Sequence, residues 1–505
     1  MATEGPAMPA AADGAAAMEF DVAVIGYGPV GAALANLLGA QGVRTLVIER
    51  EAAAYHLPRA VHFDDEVMRI FQSMGLAEAI LPITHVSPGT HFVDGAGRLL
   101  LDWSRPMAVG PQGWNVSYRF HQPELEDVLR RGVARWPSVT LRARTEVFAL
   151  EPGADGVGLR FEELSNGRIG RATARYVVGC DGARSLVRRW IGEPMDDLGF
   201  HERWLVVDAL LRRPRPDLGD HTVQHCDPAR PATYVRGTGN RRRWEIALRE
   251  GDDLAALARP EGAWPLLARW ITPEDAVLER AAIYTFHSTV ARRWREGRLL
   301  LAGDAAHQTP PFLGQGMCAG IRDAANLAWK LVRVLRGEAP ESLLDSYGSE
   351  RAPHVEGYIR EAVRIGGLIN TTAMEAVVSG DVLRGGAAER LVAVRPALGP
   401  GPAAGWTAHA GRLPPQPRLG NGALLDDHVG PRFAAVMRPE FAAGLPHALL
   451  DRLAARGAVL VADAAPGVTA MLDDLGAQAV LLRPDRHVLG AARDLDEMRA
   501  LAAAL

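Results

Sequence analysis

Apolar positions change their spacing along this chain, and each change marks a different kind of structure. Asp21 to Ile25 is a short apolar strand, Val30 to Leu38 a helix of small residues, and Arg44 to Ile48 a second strand. The three fall within about 30 residues, the spacing of a βαβ unit with its crossover helix. Asp64-Asp65-Glu66 predicts a helix start: Asp64 can cap it, and acids suit the positive end of the dipole. Val67, Ile70, Phe71 and Met74 give this helix one apolar face, and Gly75 stops it. Pro123 sits in the first turn of another helix, with Leu125, Val128, Leu129 and Val133 on one side.

From about Trp204 to Leu248 the pattern turns to β. Leu205 to Leu211, Thr222 to His225 and two runs either side of Gly237-Thr238-Gly239-Asn240 read as antiparallel strands, with Pro214 and Pro216 in a loop. Arg298 to Ala302 is a buried strand. Met317 to about Leu335 is a long helix with Ile321, Ala324, Ala325, Ala328, Leu331, Val332 and Leu335 inward. A further helical stretch runs from about Leu343 past Ile369. Pro396 to Pro402 reads as a linker. Beyond it, strands near Phe433 to Val436, Val459 to Val461 and Val480 to Leu482, with helices such as His447 to Ala455, predict a small α/β domain.

At 505 residues the chain exceeds what one hydrophobic core usually serves. Its 48% hydrophobic and 23% charged content is ordinary for a globular protein. A net charge of −4 argues against nucleic acid or an anionic membrane as partner. No apolar run approaches the ~18 residues of a membrane span. Cys180, Cys226 and Cys318 have no metal-ligand or CxxC spacing, so no metal is expected and a reducing cytoplasm fits. Residues 1 to 18, rich in Ala, Gly and Pro, read as a disordered leader and not a secretory signal.

Three segments carry chemistry. In Val24-Ile25-Gly26-Tyr27-Gly28-Pro29-Val30-Gly31, Gly26 allows a tight turn, Gly28 an unobstructed approach to a pyrophosphate, and Gly31 close helix–strand packing. The helix start offers free N–H groups to phosphate, and Glu49 lies at the distance of an adenosine ribose. This fingerprint alone does not separate FAD from NAD. The second segment, Cys180-Asp181-Gly182-Ala183-Arg184-Ser185 with Arg188, places a carboxylate at a strand end. The third, Gly303-Asp304-Ala305-Ala306-His307, runs into Pro310-Pro311-Phe312-Leu313-Gly314-Gln315-Gly316 and a helix N-terminus. Asp304 can accept hydrogen bonds from a ribityl chain, and the helix end can stabilise an anionic reduced flavin.

In this order the segments resemble the motifs of the single-component flavoprotein aromatic hydroxylases, the para-hydroxybenzoate hydroxylase superfamily, over about residues 20 to 370. Pro58-Arg59-Ala60, Arg322-Asp323-Ala324-Ala325-Asn326-Leu327-Ala328-Trp329-Lys330-Leu331, Leu344-Asp345-Ser346-Tyr347 and Arg483-Pro484-Asp485-Arg486 resemble 3-(3-hydroxyphenyl)propionate hydroxylase. His62, Phe63 and the segment Pro310 to Leu313 depart from that pattern near the expected substrate.

The resemblance implies an α/β fold with an α+β substrate domain. A Rossmann-type FAD-binding domain is expected over 19–80, 111–195 and 291–395, an inserted antiparallel-sheet substrate domain over 81–110 and 196–290, and a thioredoxin-like domain over 396–505. Since Cys318 is the last cysteine, that third domain does no thiol chemistry; a structural role or a homodimer contact is expected. FAD contacts are implied for Gly26, Gly28, Gly31, Glu49, Arg50, Arg59, Gln122, Asp181, Gly303, Asp304, Pro311, Gly314, Gly316 and Met317.

No second nucleotide fingerprint is present, so NADH or NADPH is expected as a transient co-substrate. The implied cycle is reduction of FAD, addition of O₂, and hydroxyl transfer from a flavin C4a-hydroperoxide to a phenolic ring, such as a 3-(3-hydroxyphenyl)propionate-like acid. Quinolone, resorcinol or polyketide-derived rings, a flavin oxidase or dehydrogenase, and a non-catalytic FAD-binding scaffold are the alternatives. His62, His225, Tyr234 and Arg236 are the candidates for base or substrate grip, Trp244 is a candidate wall, and His307 is expected to fix its loop.

Overall fold

The computed structural model describes residues 19–370, 395–402 and 409–505; the expected leader lies outside them. Five parallel strands form the spine of the first sheet. In space they run Val139–Arg142, Thr45–Ile48, Phe20–Ile25, Arg168–Gly179 and Leu299–Leu301. Numbered along the chain this order is 3-2-1-4-5, a doubly wound arrangement in which ligands bind beyond the carboxyl ends of the strands. Val22, Ala23 and Val24 are wholly buried and share one core with the helices Pro29–Gly39 and Gly316–Leu335. Thr145–Pro152 and Val157–Glu163 extend this sheet as an antiparallel ribbon on Arg168–Gly179.

A second eight-stranded sheet is built on two long antiparallel strands, Met195–Leu211 and Ala276–Ala291. The expectation of an antiparallel sheet needs one correction: Thr222–Cys226 runs parallel to Gly89–Asp94. Those strands are separated by more than a hundred residues of chain, so no tight turn forces them to be antiparallel. Alternation along each strand separates the faces of this sheet. Leu205, Val207, Tyr234 and Trp244 pack beneath the helix Pro260–Leu267. Trp204, Cys226 and Phe92 face the other way, toward Phe312 and Leu313. A three-stranded sheet of His62–Asp64, Ser117–Phe120 and Thr84–Val86 adjoins this inner face.

The last unit has strands ordered Ala458–Ala462, Phe433–Met437, Ala479–Leu482 and Val488–Ala492. The first two are parallel and the rest antiparallel, the 2-1-3-4 order of a thioredoxin-like sheet. Buried Glu350 joins this unit to the long helices, accepting from Lys330 Nζ at 2.7 Å and Arg483 Nη1 at 2.5 Å. No described helix is long and apolar enough to cross a membrane.

Candidate active site

The three chemical segments fall at the carboxyl ends of neighbouring parallel strands. The first loop is pressed against the second: a Cβ on Gly26, whose φ is +100°, would lie 2.4 Å from the Cys180 carbonyl oxygen. A Cβ on Gly31 would lie 2.0 Å from the Gly26 carbonyl oxygen. In front of Gly28 the space is open. The helix that follows has no side-chain cap and no acid in its first turn, so its positive end is free to meet phosphate. Glu49 stands beside this opening, held by the Tyr27 amide at 2.6 Å and the Glu51 amide at 2.9 Å. Arg50 is exposed and paired with Glu51 at 3.0 Å.

Gln122 is buried, and its Oε1 accepts from the Arg59 amide at 2.9 Å and the Ala60 amide at 2.7 Å. It holds the Pro58–Ala60 loop in place. The same loop is gripped from the second sheet, where Arg243 donates to the Pro58 and Arg59 carbonyls and Arg280 donates to that of Pro58. Asp208 pairs with both arginines. This clamp carries no motif, and only tertiary pairing reveals it.

Asp304 is reached by solvent, yet enclosure by protein raises its carboxyl above the ordinary value, against the pull of His307 and Arg59. Its loop is fixed from behind by Asp323, which accepts from the Gly303 amide at 3.0 Å, His307 Nε2 at 2.7 Å and Arg351 Nε at 2.8 Å. His307 thus positions the loop, as expected. Asp181 Oδ2 accepts from the Leu186 amide at 2.6 Å, whereas its buried Oδ1 has no partner. Burial raises this carboxyl too.

The loop carrying Pro311 and Gly314 leads to the helix Gly316–Leu335, which again starts with no side-chain cap and no acid. Met317 stands in its first turn, half-buried like Pro311. Arg322 anchors this helix end, binding Glu66 at 2.6 Å, Gln315 at 2.8 Å and Asp64 at 2.5 Å. Asp64 also caps its own helix by accepting from the Val67 amide. Burial pushes the Asp64 carboxyl up, but Arg322 and His62 outweigh it and hold the net value well below the ordinary one.

Of the four catalytic candidates, one lies beside this loop. His62 is buried against Gly314, with Nε2 3.0 Å from Ser117 Oγ and Nδ1 without a partner. Burial, then Arg119 and Arg105, push its pKa down to about 3. The imidazole is neutral and a weak base, better suited to hydrogen bonding than to taking a proton from a phenol of pKa ~10. The structure does not bring His225, Tyr234 and Arg236 to this loop. His225 packs at a tilt against Trp270, Tyr234 packs on Trp244, and Arg236 pairs with Asp220. His225 and Tyr234 point to the outer face of the sheet, because the pleat gives the inner face to Thr222, Gln224 and Thr233. Trp244 lies under the outer helices and is no wall of the cleft. Sequence reasoning missed Arg119, which pairs in register with His62 and donates to Thr222 Oγ1.

The arrangement can hold a dinucleotide with a flavin ring. Two helix starts without side-chain caps or acids offer free N–H groups, and Glu49 stands at the first of them. Trp204, wholly buried, backs the partly exposed Phe312, with ring centres 5.6 Å apart. Fold and site define a flavin-dependent oxygenase.

Comparisons with known proteins agree. Residues 19–362 match the family model described as FAD binding domain. The chain is 39% identical to a probable NADH-specific resorcinol 4-hydroxylase of Rhodococcus jostii strain RHA1, over 97% of this chain and 95% of that one. It is 36% identical to a 3-(3-hydroxy-phenyl)propionate/3-hydroxycinnamic acid hydroxylase of Mycobacterium sp. strain JLS, over 93% and 89%. The flavin-dependent monooxygenase PieE, solved with FAD and substrate, has the same fold, with a TM-score of 0.81 at 22% identity, over 97% and 99%. The chain belongs to the FAD binding domain family and is an FAD-dependent aromatic hydroxylase.

Proposed function

We propose that this hydroxylase acts on a small phenol substituted at the meta position, with NADH as the reductant. Resorcinol and 3-(3-hydroxyphenyl)propionate, the compounds in the relatives' names, share that pattern. The observation that supports the reading is the packing of the three segments on one another, Gly26 on Cys180 and Gly303 on Val30, with Glu49 held beside the open space at Gly28. FAD, when bound, supplies hydride acceptance and activation of O₂.

The chain's residues bind, orient and exclude water. Gly28 and the helix start would take the pyrophosphate, with Gly26 and Gly31 giving the turn and the close packing that admit it; Glu49 would take the ribose and Asp304 the ribityl chain. Arg59 would approach the phosphates, Gln122 would hold the Arg59 loop, and Asp181, whose backbone packs against Gly26, would border the cofactor. Gly303, Pro311, Gly314, Gly316 and Met317 would border the flavin ring. His62 would hydrogen-bond at the substrate end. The domain division drawn from the sequence, a cytoplasmic location and a homodimer belong to the same proposal.

Incubation of the FAD-loaded protein with NADH and isotope-labelled O₂, with resorcinol or 3-(3-hydroxyphenyl)propionate, tests it. Label in a hydroxylated product, in proportion to NADH consumed, is the expected result. Labelled H₂O₂ alone with every phenol would identify an oxidase instead.

A further inference from the structure

We propose that Arg119 is an anion anchor in the substrate pocket, against which an aromatic ligand sets its ionised oxygen, carboxylate or phenolate. This rests on the reading that the space between the inner sheet face and the loop of Phe312 to Gln315 receives the ring.

Arg119 lies in the strand Ser117–Phe120 and is 8% exposed. Among the described residues no carboxylate stands within ion-pair distance of it. Among the same residues its side chain makes one hydrogen bond, from Nη2 to Thr222 Oγ1, and its buried Nε has no partner. The other buried arginines are differently placed. Arg69 pairs with Asp426, Arg243 and Arg280 with Asp208, and Arg351 with Asp323; Arg242 donates to backbone carbonyls. A buried guanidinium left without an anion is unfavourable, and a ligand anion would relieve it.

The charged neighbours have the same effect. Arg105, itself half-buried, repels Arg119, and Glu245 attracts it only from beyond ion-pair distance. Burial, followed by Arg105, lowers the Arg119 pKa to about 10, which leaves it cationic at neutral pH. His62 Nδ1, the second orphaned polar atom, lies on the neighbouring strand in register with Arg119. Gln224 and Thr233 continue the polar end, while the partly exposed Phe312 and Leu313, backed by Trp204, supply the apolar side. One cation, one neutral donor–acceptor and an aromatic wall fit a ring with one anionic oxygen. For an ionised phenol the anchor also has a chemical effect. A neighbouring cation lowers an acid's pKa by about 1–3 units, which offsets much of the ~3-unit gap between a phenol and neutral pH.

The test compares FAD-loaded wild type, Arg119→Met and Arg119→Lys. Two probes separate the sources of charge: 3-phenylpropionate carries only a carboxylate, and resorcinol only phenol groups. Dissociation constants are read from perturbation of the flavin absorbance, beside FAD content and melting temperature. Arg119→Met is expected to keep its FAD, to melt no lower than wild type, and to bind at least one probe about 10- to 100-fold more weakly. Arg119→Lys is expected to recover part of that loss. Weakening with 3-phenylpropionate assigns the carboxylate, and weakening with resorcinol the phenolate. Both constants within twofold of wild type in Arg119→Met, or a wild type that binds neither probe, would overturn the anchor. If the wild type binds through Arg119 but hydroxylates no phenol, the proposed activity falls while the anchor stands.

Discussion

Gly303 lies so close to Val30 that a Cβ on it would stand 2.9 Å from Val30 Cγ2. The glycine has a φ of +65° as well, so two separate constraints exclude a side chain there. This contact joins the Gly-Asp loop to the fingerprint helix, although the two are far apart in the chain.

Gly303→Ala should therefore loosen the cleft and lower FAD affinity by about tenfold or more, since overpacking typically costs about 1–3 kcal/mol. Val30→Ala in the same chain should restore only part, because the backbone strain of about 1–2 kcal/mol persists. FAD retained after gel filtration measures both. Equal retention in wild type and Gly303→Ala would contradict this account of the contact.

Asp304→Ala should weaken FAD binding by about 10- to 100-fold, the loss of a charge-assisted hydrogen bond worth about 1.5–3 kcal/mol. The fold should persist, because the loop is held by Asp323 and His307 and not by Asp304. Isothermal titration with FAD and a circular dichroism melt separate the two effects.

Acid stability depends on His62. Its folded pKa of about 3 lies below the ordinary 6.5. As pH falls below 6.5 the unfolded chain takes up a proton that the folded protein refuses until near 3. The stability present above 6.5 is therefore lost across that window. His225, pushed down to about 4 by burial and then by Arg269, adds with the same sign, whereas Asp65, raised to about 6 by burial, opposes it. His62→Asn should flatten the fall of melting temperature between about pH 6 and 4. An unaltered slope would remove His62 from the account.

Glu350→Gln should cost about 3–5 kcal/mol, because it leaves Lys330 and Arg483 buried with one counter-charge fewer. Chemical denaturation monitored through the tryptophans measures the loss. A change below about 1 kcal/mol would mean that the thioredoxin-like unit is held by its apolar contacts instead.

Much of this molecule was legible in sequence because local rules govern it. The fingerprint turn at Gly26, the cap at Asp64 and the helix of His447–Ala455 each depend on neighbours a few residues away. The strand Val488–Ala492 escaped notice because its Gly490, Ala491 and Ala492 lack the branched residues that mark strands. The faces of the second sheet were not legible for a different reason. Both are covered, so alternation showed that Tyr234 and Thr233 point oppositely but not which one meets the cleft. Arg119 and the Asp208 clamp on Pro58 depend on strands brought together only by the whole fold.

The central claim, that three distant loops form one FAD cradle, is tested most directly by titrating the flavin-free protein with FAD. The account predicts saturation at one FAD per chain with a shifted visible spectrum, lost in Gly31→Ala, where a Cβ would lie 2.0 Å from the Gly26 carbonyl oxygen. A folded wild-type protein that stays colourless throughout the titration would contradict it.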